Sequence, residues 1–455
     1  MEAALRLGVS VRTLQGWELG RPMSHPELLR RAVNNSFRPK DEYALVQSDF
    51  PREFAEFINF VGATNLDKAV RKVERKLEAL SPSNRTLFGN RYFLHEQCVR
   101  FTEGSPAFQL DVTNRVAVRA ASLISGINRV RRSLSPKAIS RFQAMVLDNL
   151  KPDRDVRQIE HEIRCSVHLS RKGFDVKFAD LEGLGNFDLL AVKSSEHLQI
   201  ECKTVTEDTG SQIKSEMTAN LSEIFRETIV KGIDVGSSGL FILTFHKPTR
   251  ECKNVGQKLR DALQSASSEP LKTDDFSIEF VARPEWREPS SADELLKLQQ
   301  QIASDPALGN FPRCAIRNKQ KILGLVLRPH KPSVLTDRIV DVIKDGADQC
   351  PREKKSQVWL HFVGLAETQF LAVAELSMEG KGAGLNAIVA NALHPAASTT
   401  DRTHVQNVLF SADGDNLNRH PVLGPNLIIS RAVSSDGAIY DVPNPYCRFT
   451  KSVDT

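Results

Sequence analysis

The stretch Asn186-Phe187-Asp188-Leu189-Leu190-Ala191-Val192-Lys193-Ser194-Ser195-Glu196-His197-Leu198-Gln199-Ile200-Glu201-Cys202-Lys203 decides how the middle of this chain is read. From Leu198 onward, apolar and polar residues alternate. Successive side chains of a strand point to opposite faces, so Glu201 and Lys203 project together while Ile200 and Cys202 turn towards a core. The stretch from Phe187 is a second strand pattern, and it carries Asp188. A short polar link at 193–196 makes the two strands a hairpin and sets Asp188 next to Glu201. Two carboxylates held that close on a stiff sheet repel each other unless a cation lies between them. Hard oxygen ligands with room for water suit Mg²⁺ or Mn²⁺. A lysine next to such an ion can orient a water, help deprotonate it, or stabilise a charged transition state.

Glu-x-Lys alone is a weak signal, since the chain contains it at Glu74, Glu201, Glu251, Glu353 and Glu379. The first lies in a charged helical stretch. Those at 251 and 353 follow prolines, and that at 379 precedes a Gly-Lys-Gly turn. Only Glu201 sits on an alternating strand directly after another strand that bears an acid.

Around this hairpin the spacing predicts a helix over 155–171 that ends at Gly173, then strands at 174–179, 187–193 and 197–205. A helix at 212–231, an apolar strand at 240–245, a helix at 250–265 and a strand at 276–282 follow. Residues 283–291, rich in Pro, Ser and charge, read as a linker. Beyond it, 292–455 reads as a second α/β unit of no assigned role, with a helix at 336–348 and strands at 358–363, 405–410 and 427–432. Upstream, 38–150 is helical by periodicity, as in Leu66, Ala69, Val70, Val73 and Leu77. The expected fold class is therefore α/β, with domains at 1–37, 38–150, 151–285 and 292–455.

The order helix, three strands, helix, strand over 155–245, with an acid on the second strand and Glu-x-Lys on the third, resembles the PD-(D/E)XK or restriction-endonuclease-like nuclease superfamily. The resemblance covers 151–285 and implies an α-β-β-β-α-β core. It implies a Mg²⁺ or Mn²⁺ ion held by Asp188, Glu201 and the Cys202 backbone carbonyl, with Lys203 as the catalytic lysine. Phe187 stands where the family's name has proline. The family often adds a glutamate from the first helix, and Glu160 and Glu162 both qualify here. Glu160 lies among Val156, Ile159, Ile163 and Val167 on the apolar face, whereas Glu162 has the family's usual distance to Gly173. The apolar face favours Glu160 slightly.

Residues 3–20 resemble the phage-repressor type of helix-turn-helix. Gly8 supplies the turn, Ser10 caps the second helix, and Val9, Leu14 and Trp17 form a small core. The resemblance implies that Arg12, Thr13 and Gln15 face DNA. The match begins in mid-motif, so the segment reads as a truncated copy; a leftover helical hairpin that binds nothing is the other reading.

Charge is unevenly spread. Residues 1–150 carry 23 Lys and Arg against 15 Asp and Glu, whereas the remainder carries 38 against 41. No acid occurs between Asp111 and Asp148, a stretch that holds Arg115, Arg119, Arg129, Arg131, Arg132, Lys137 and Arg141. Such a run repels itself unless an anion neutralises it, and the nucleic-acid backbone is a common one. Arg129, Arg131, Arg132 and Lys137 are the expected contacts; a solvated helix face is the alternative.

Several classes are set aside. No apolar run approaches the roughly 20 residues of a membrane span, and no signal-peptide pattern opens the chain, so the cytoplasm is expected. The seven cysteines are scattered without a CxxC pair, which argues against a disulfide framework or a zinc ribbon. Residues 380–384 lack P-loop spacing, and the histidines at 361, 394, 404 and 420 are dispersed. The expectation is a Mg²⁺-dependent nuclease, acting on DNA rather than RNA and working as a homodimer where both strands are cut. A DNA-binding regulator with a non-catalytic nuclease-like scaffold, or an RNA nuclease, are the alternatives.

Overall fold

The computed structural model describes residues 49–103, 110, 114–206, 208–230, 236–265, 270–287, 294, 298, 301, 313–318, 321–332, 335–363, 384–394, 402–413, 437–444 and 446–449. The repressor-like segment with Arg12, Thr13 and Gln15, and the strand expected at 427–432, lie outside them.

The N-terminal described part is helical, as the periodicity predicts. Helix α1 (Phe50–Val61) buries Phe50, Phe54, Phe57 and Phe60, a spacing that puts all four rings on one face. It is followed by α2 (Ala63–Glu78) and α3 (Pro82–Glu103). Asn114 accepts from the N–H groups of Val116 and Ala117 and so caps α4 (Arg115–Ser133). Helix α5 (Pro136–Asn149) starts on a proline with Ser135 as its cap.

Helix α6 (Arg157–Arg171) leads into β1 (Asp175–Phe178), a single helical turn α7 (Ala179–Glu182), β2 (Leu189–Lys193) and β3 (Glu196–Val205). These strands form an antiparallel meander, and β2 and β3 are joined through Ser194 at φ 53°, a left-handed turn residue. The hairpin read from the sequence is thus present, with Asp188 immediately before β2.

The next steps depart from the expected order. Helix α8 (Ser215–Val230), β4 (Gly239–Phe245), α9 (Val255–Ser265), β5 (Leu271–Lys272) and β6 (Phe276–Ala282) do not extend the hairpin's sheet. They combine with β7 (Arg313–Asn318) and β8 (Lys321–Arg328) in a five-stranded sheet of order β5-β6-β4-β8-β7. Its core joins Leu221, Phe225 and Ile229 of α8 and Leu259 and Leu263 of α9 to β4, β6 and β8. After α10 (Leu335–Gln349), β9 (Ser356–Phe362) pairs in parallel with β3; α11 (Leu385–Leu393) intervenes before β10 (Val405–Asp413) and β11 (Gly437–Pro443) complete the six-stranded sheet β1-β2-β3-β9-β10-β11.

Residues 240–245, the last strand of the core that the resemblance implies, therefore belong to the other sheet. The boundary drawn at 283–291 also fails to separate two units, because each sheet takes strands from both sides of it. A parallel partner must be reached by a crossover, and here the crossover is long enough to carry a sheet of its own.

The six-stranded sheet is covered on both faces. Ile339, Ile343 and Ala347 of α10 and Leu385, Ile388 and Val389 of α11 pack on Val358, Leu360, Val408 and Phe410. On the opposite face α6 lies against the sheet, with His161 bonded to the Trp359 carbonyl. Helix α10 approaches closely because residue 346 is glycine. A Cβ there would meet Val358 Cγ1 at 3.1 Å, Glu201 Cγ at 3.4 Å and Lys203 Cε at 3.6 Å. Gly346→Leu is expected to lower stability by about 1–3 kcal/mol, and Gly346→Ala to cost less, because a Cβ asks the Val358 methyl to give by only a few tenths of an ångström whereas leucine must displace the sheet. Urea denaturation midpoints of the two variants check this ordering.

Candidate active site

Asp188, Glu201 and Lys203 meet at the edge left where β2 begins. β2 starts opposite Ile200, so Cys202 has no ladder partner on that side. An unpaired buried N–H is costly, and the Asp188 carboxylate takes it, Oδ2 accepting from the Cys202 N–H at 2.7 Å. The carbonyl of a strand residue leaves the same edge as its N–H, so the Cys202 carbonyl is directed to the Asp188 side. Glu201 and Lys203, two apart on β3, share the face beneath α10. Lys203 Nζ donates to Glu201 Oε1 at 2.6 Å and to Gln349 Oε1 at 3.0 Å. Lys203 keeps 23% of its side chain exposed against 3% for Glu201, so the ammonium is where the site opens to solvent.

Glu201 Oε2 is buried without a hydrogen-bond partner, a costly state for a carboxylate oxygen. Burial raises the Glu201 carboxyl to about 7, helped by the charge of Asp188 and opposed by Lys203 and by the Asp188 backbone N–H. Burial likewise lifts Asp188 to about 6 against the Cys202 N–H and Lys203. Glu162 of α6 is pushed well above the ordinary carboxylate range, by burial first and then by Asp188, Asp180 and Glu201. Asp188 and Glu201, beside the Cys202 carbonyl, are hard oxygen donors of the kind that suits a divalent cation; Glu162 feels their charge, although among the described residues the three carboxyls do not close to within 4.8 Å of one another.

The two glutamates of α6 are thereby told apart. Both are buried, but Glu160 is engaged elsewhere: Arg119 of α4 grips it through two bonds of 2.8 and 2.6 Å, and Arg164 reaches it at 2.7 Å. Glu162 is the one that feels the charges of Asp188 and Glu201. The slight preference for Glu160 is corrected accordingly, since the apolar surroundings that favoured it hold an ion-pair network.

The basic run is also answered from within the molecule. Arg131 bonds Glu56 at 2.9 Å, and Arg132 bonds Glu53 at 2.9 Å and Glu56 at 2.7 Å, both acids on α1. Arg141 donates to the Leu181 carbonyl. The repulsion argument for Arg129, Arg131, Arg132 and Lys137 as an anion-binding stripe thus fails for Arg131 and Arg132; Lys137 stands exposed at the start of α5. Sequence reasoning missed Gln349 and Gly346, whose signal lay in a helix assigned to a separate unit.

The raised carboxyls have a consequence for stability. Between the usual carboxylate values near 4 and about 7, the folded state holds more protons than the unfolded chain, so stability falls as pH rises through that window. For Glu201 the displacement from 4.5 to about 7 is worth roughly 3 kcal/mol. Buried His95, His168 and His404, held below the ordinary imidazole value, favour the higher pH and oppose this trend, so the carboxyls are read from the response to metal. Mg²⁺ or Mn²⁺ is expected to raise the melting temperature more at about pH 8 than at about pH 5. A melting temperature indifferent to metal at both pH values would contradict this account of the site.

No family model, no curated protein and no solved structure matches the chain. Among the described residues, no helix is long and apolar enough to cross a membrane.

Proposed function

We propose that this chain is a metal-dependent nuclease of the PD-(D/E)XK kind, cleaving phosphodiester bonds of DNA. The observation that carries the reading is that Asp188 is bonded to the Cys202 N–H and Lys203 to Glu201 on adjacent residues of β3, where Glu201 Oε2 is buried without a hydrogen bond. The order of elements supports it. Taken as α6-β1-β2-β3-α10-β9, the chain has the helix, three strands, helix, strand order of that family, with residues 206–334 inserted after the third strand.

Asp188, Glu201 and the Cys202 carbonyl would hold the cation, with Glu162 as the further acid from the first helix. The cation would polarise a phosphoryl oxygen and lower the pKa of water. Lys203, anchored by Glu201 and Gln349, presents its ammonium at the mouth of the site, where it positions the attacking water and offsets charge on the phosphate in the transition state. The Cys202 N–H fixes the Asp188 carboxylate, so the acid need not reorganise as charge develops. DNA is favoured over RNA by the repressor-like pattern at 3–20, and cutting both strands calls for two copies of the site.

The test is incubation of the full chain with supercoiled plasmid, linear duplex, single-stranded DNA and RNA, each with Mg²⁺, Mn²⁺ or EDTA. Metal-dependent cutting of DNA is expected. Cutting of RNA alone would move the substrate class, and binding without cutting under any metal would hand the chain to a regulatory role. Sedimentation with and without duplex reads the copy number.

A further inference from the structure

On the far side of β3 from Lys203, a second donor set is assembled from different chemistry. We infer that His161, Cys165 and Cys202 form a site for one thiophilic cation, Zn²⁺, buried between α6 and the six-stranded sheet. The three side chains are buried, and their ligand atoms lie within 4.8 Å of one another. His161 and Cys165 are four apart on α6 and so share a face; Cys202 reaches them because the strand alternation that sends Glu201 and Lys203 to α10 sends Cys202 to α6.

The histidine is anchored through Nε2, which lies 3.1 Å from the Trp359 carbonyl and donates to it. The Cys165 sulfur lies beside the ring, 3.6 Å from Nδ1 and 3.8 Å from Nε2, so that binding an ion would turn the thiol towards Nδ1. A carbonyl that orients a histidine through its second nitrogen is a usual companion of a metal ligand. The spacing also suits the ion. Zn–S near 2.3 Å and Zn–N near 2.0 Å at a tetrahedral angle place sulfur and nitrogen about 3.5 Å apart. Two thiols and an imidazole select Zn²⁺ and reject Mg²⁺, so this site and the carboxylate site would not compete for one ion. Binding releases one proton from each thiol to solvent, and the two thiolates balance the charge of the ion. The ion would tie α6 to β3 at Cys202, the residue whose N–H holds Asp188.

The full chain, purified reduced and without chelator, is expected to carry one zinc by elemental analysis. After removal of that zinc, one equivalent of Co²⁺ is expected to give a sulfur-to-cobalt charge-transfer band that Zn²⁺ abolishes. Cobalt held by carboxylates alone gives no such band, so the result does not depend on whether the chain is a nuclease. Cys165→Ser and His161→Gln are expected to weaken or remove the band, and Cys350→Ala to leave it intact. Because a ligand variant can fail to fold, the deciding observation is on the wild-type chain. Reduced wild-type protein that takes up Co²⁺ without the band, or a Cys165→Ser protein that is folded by circular dichroism and keeps it unchanged, would overturn the site.

Discussion

Replacing Lys203 by alanine is expected to lower metal-dependent cleavage by about 100- to 1,000-fold, the loss seen when one preorganised donor to a transition-state charge is removed. The metal ligands Asp188 and Glu201 stay, so binding of Mg²⁺ or Mn²⁺, read from the rise in melting temperature, is expected to persist. This split between binding and rate separates a catalytic lysine from one that merely neutralises Glu201. Nζ donates to Glu201 at 2.6 Å, and its loss leaves that carboxylate with the Asp188 backbone N–H alone to oppose burial, which makes the metal-free protein more dependent on low pH. Initial rates and melting curves on the same preparations decide the matter. A variant that cuts as fast as the wild type would remove Lys203 from the chemistry and with it the principal support for a nuclease.

The second large effect contrasts the two glutamates of α6. Glu160→Gln leaves Arg119 and Arg164 buried against a neutral amide, and loss of one member of a buried ion pair costs about 3–5 kcal/mol. Glu162→Gln removes one of three mutually repelling carboxyls and is expected to stabilise the metal-free protein at neutral pH while weakening its response to metal. Denaturant unfolding of both variants, with and without Mn²⁺, should give opposite signs. Equal destabilisation by the two changes would show that Glu162 is a structural acid like its neighbour.

How much of this was legible in the sequence can be argued from those residues. The hairpin was legible because alternation and a polar turn are local, and local pattern sufficed to place Glu201 and Lys203 on one face and Asp188 beside them. The partner of β3 was not. Residues 240–245 and 356–362 are both strands buried on two faces, and nothing within either says which sheet it enters. Proximity in sequence favoured the wrong one. The choice between Glu160 and Glu162 rested on Arg119, 41 residues upstream of Glu160, and the fate of Arg131 and Arg132 on acids 75 or more residues away. Long-range ion pairs leave no periodic trace. The histidine and cysteine four apart on α6 did leave one, but Cys202 on a strand supplies the third donor, and no linear spacing rule joins a helix to a strand.

The interleaving of the two sheets bears on when the molecule can act as it leaves the ribosome. At roughly 5–20 residues per second, synthesis reaches Lys203 well before it reaches Gln349 and β9. Until then β3 has a free edge where β9 will pair, and Lys203 lacks the amide that steadies it. A nascent chain or a fragment ending near residue 285 has both carboxylates yet no finished centre. The bridging arrangement thus makes maturation late and all-or-none, so truncated products of this chain are expected to be inert.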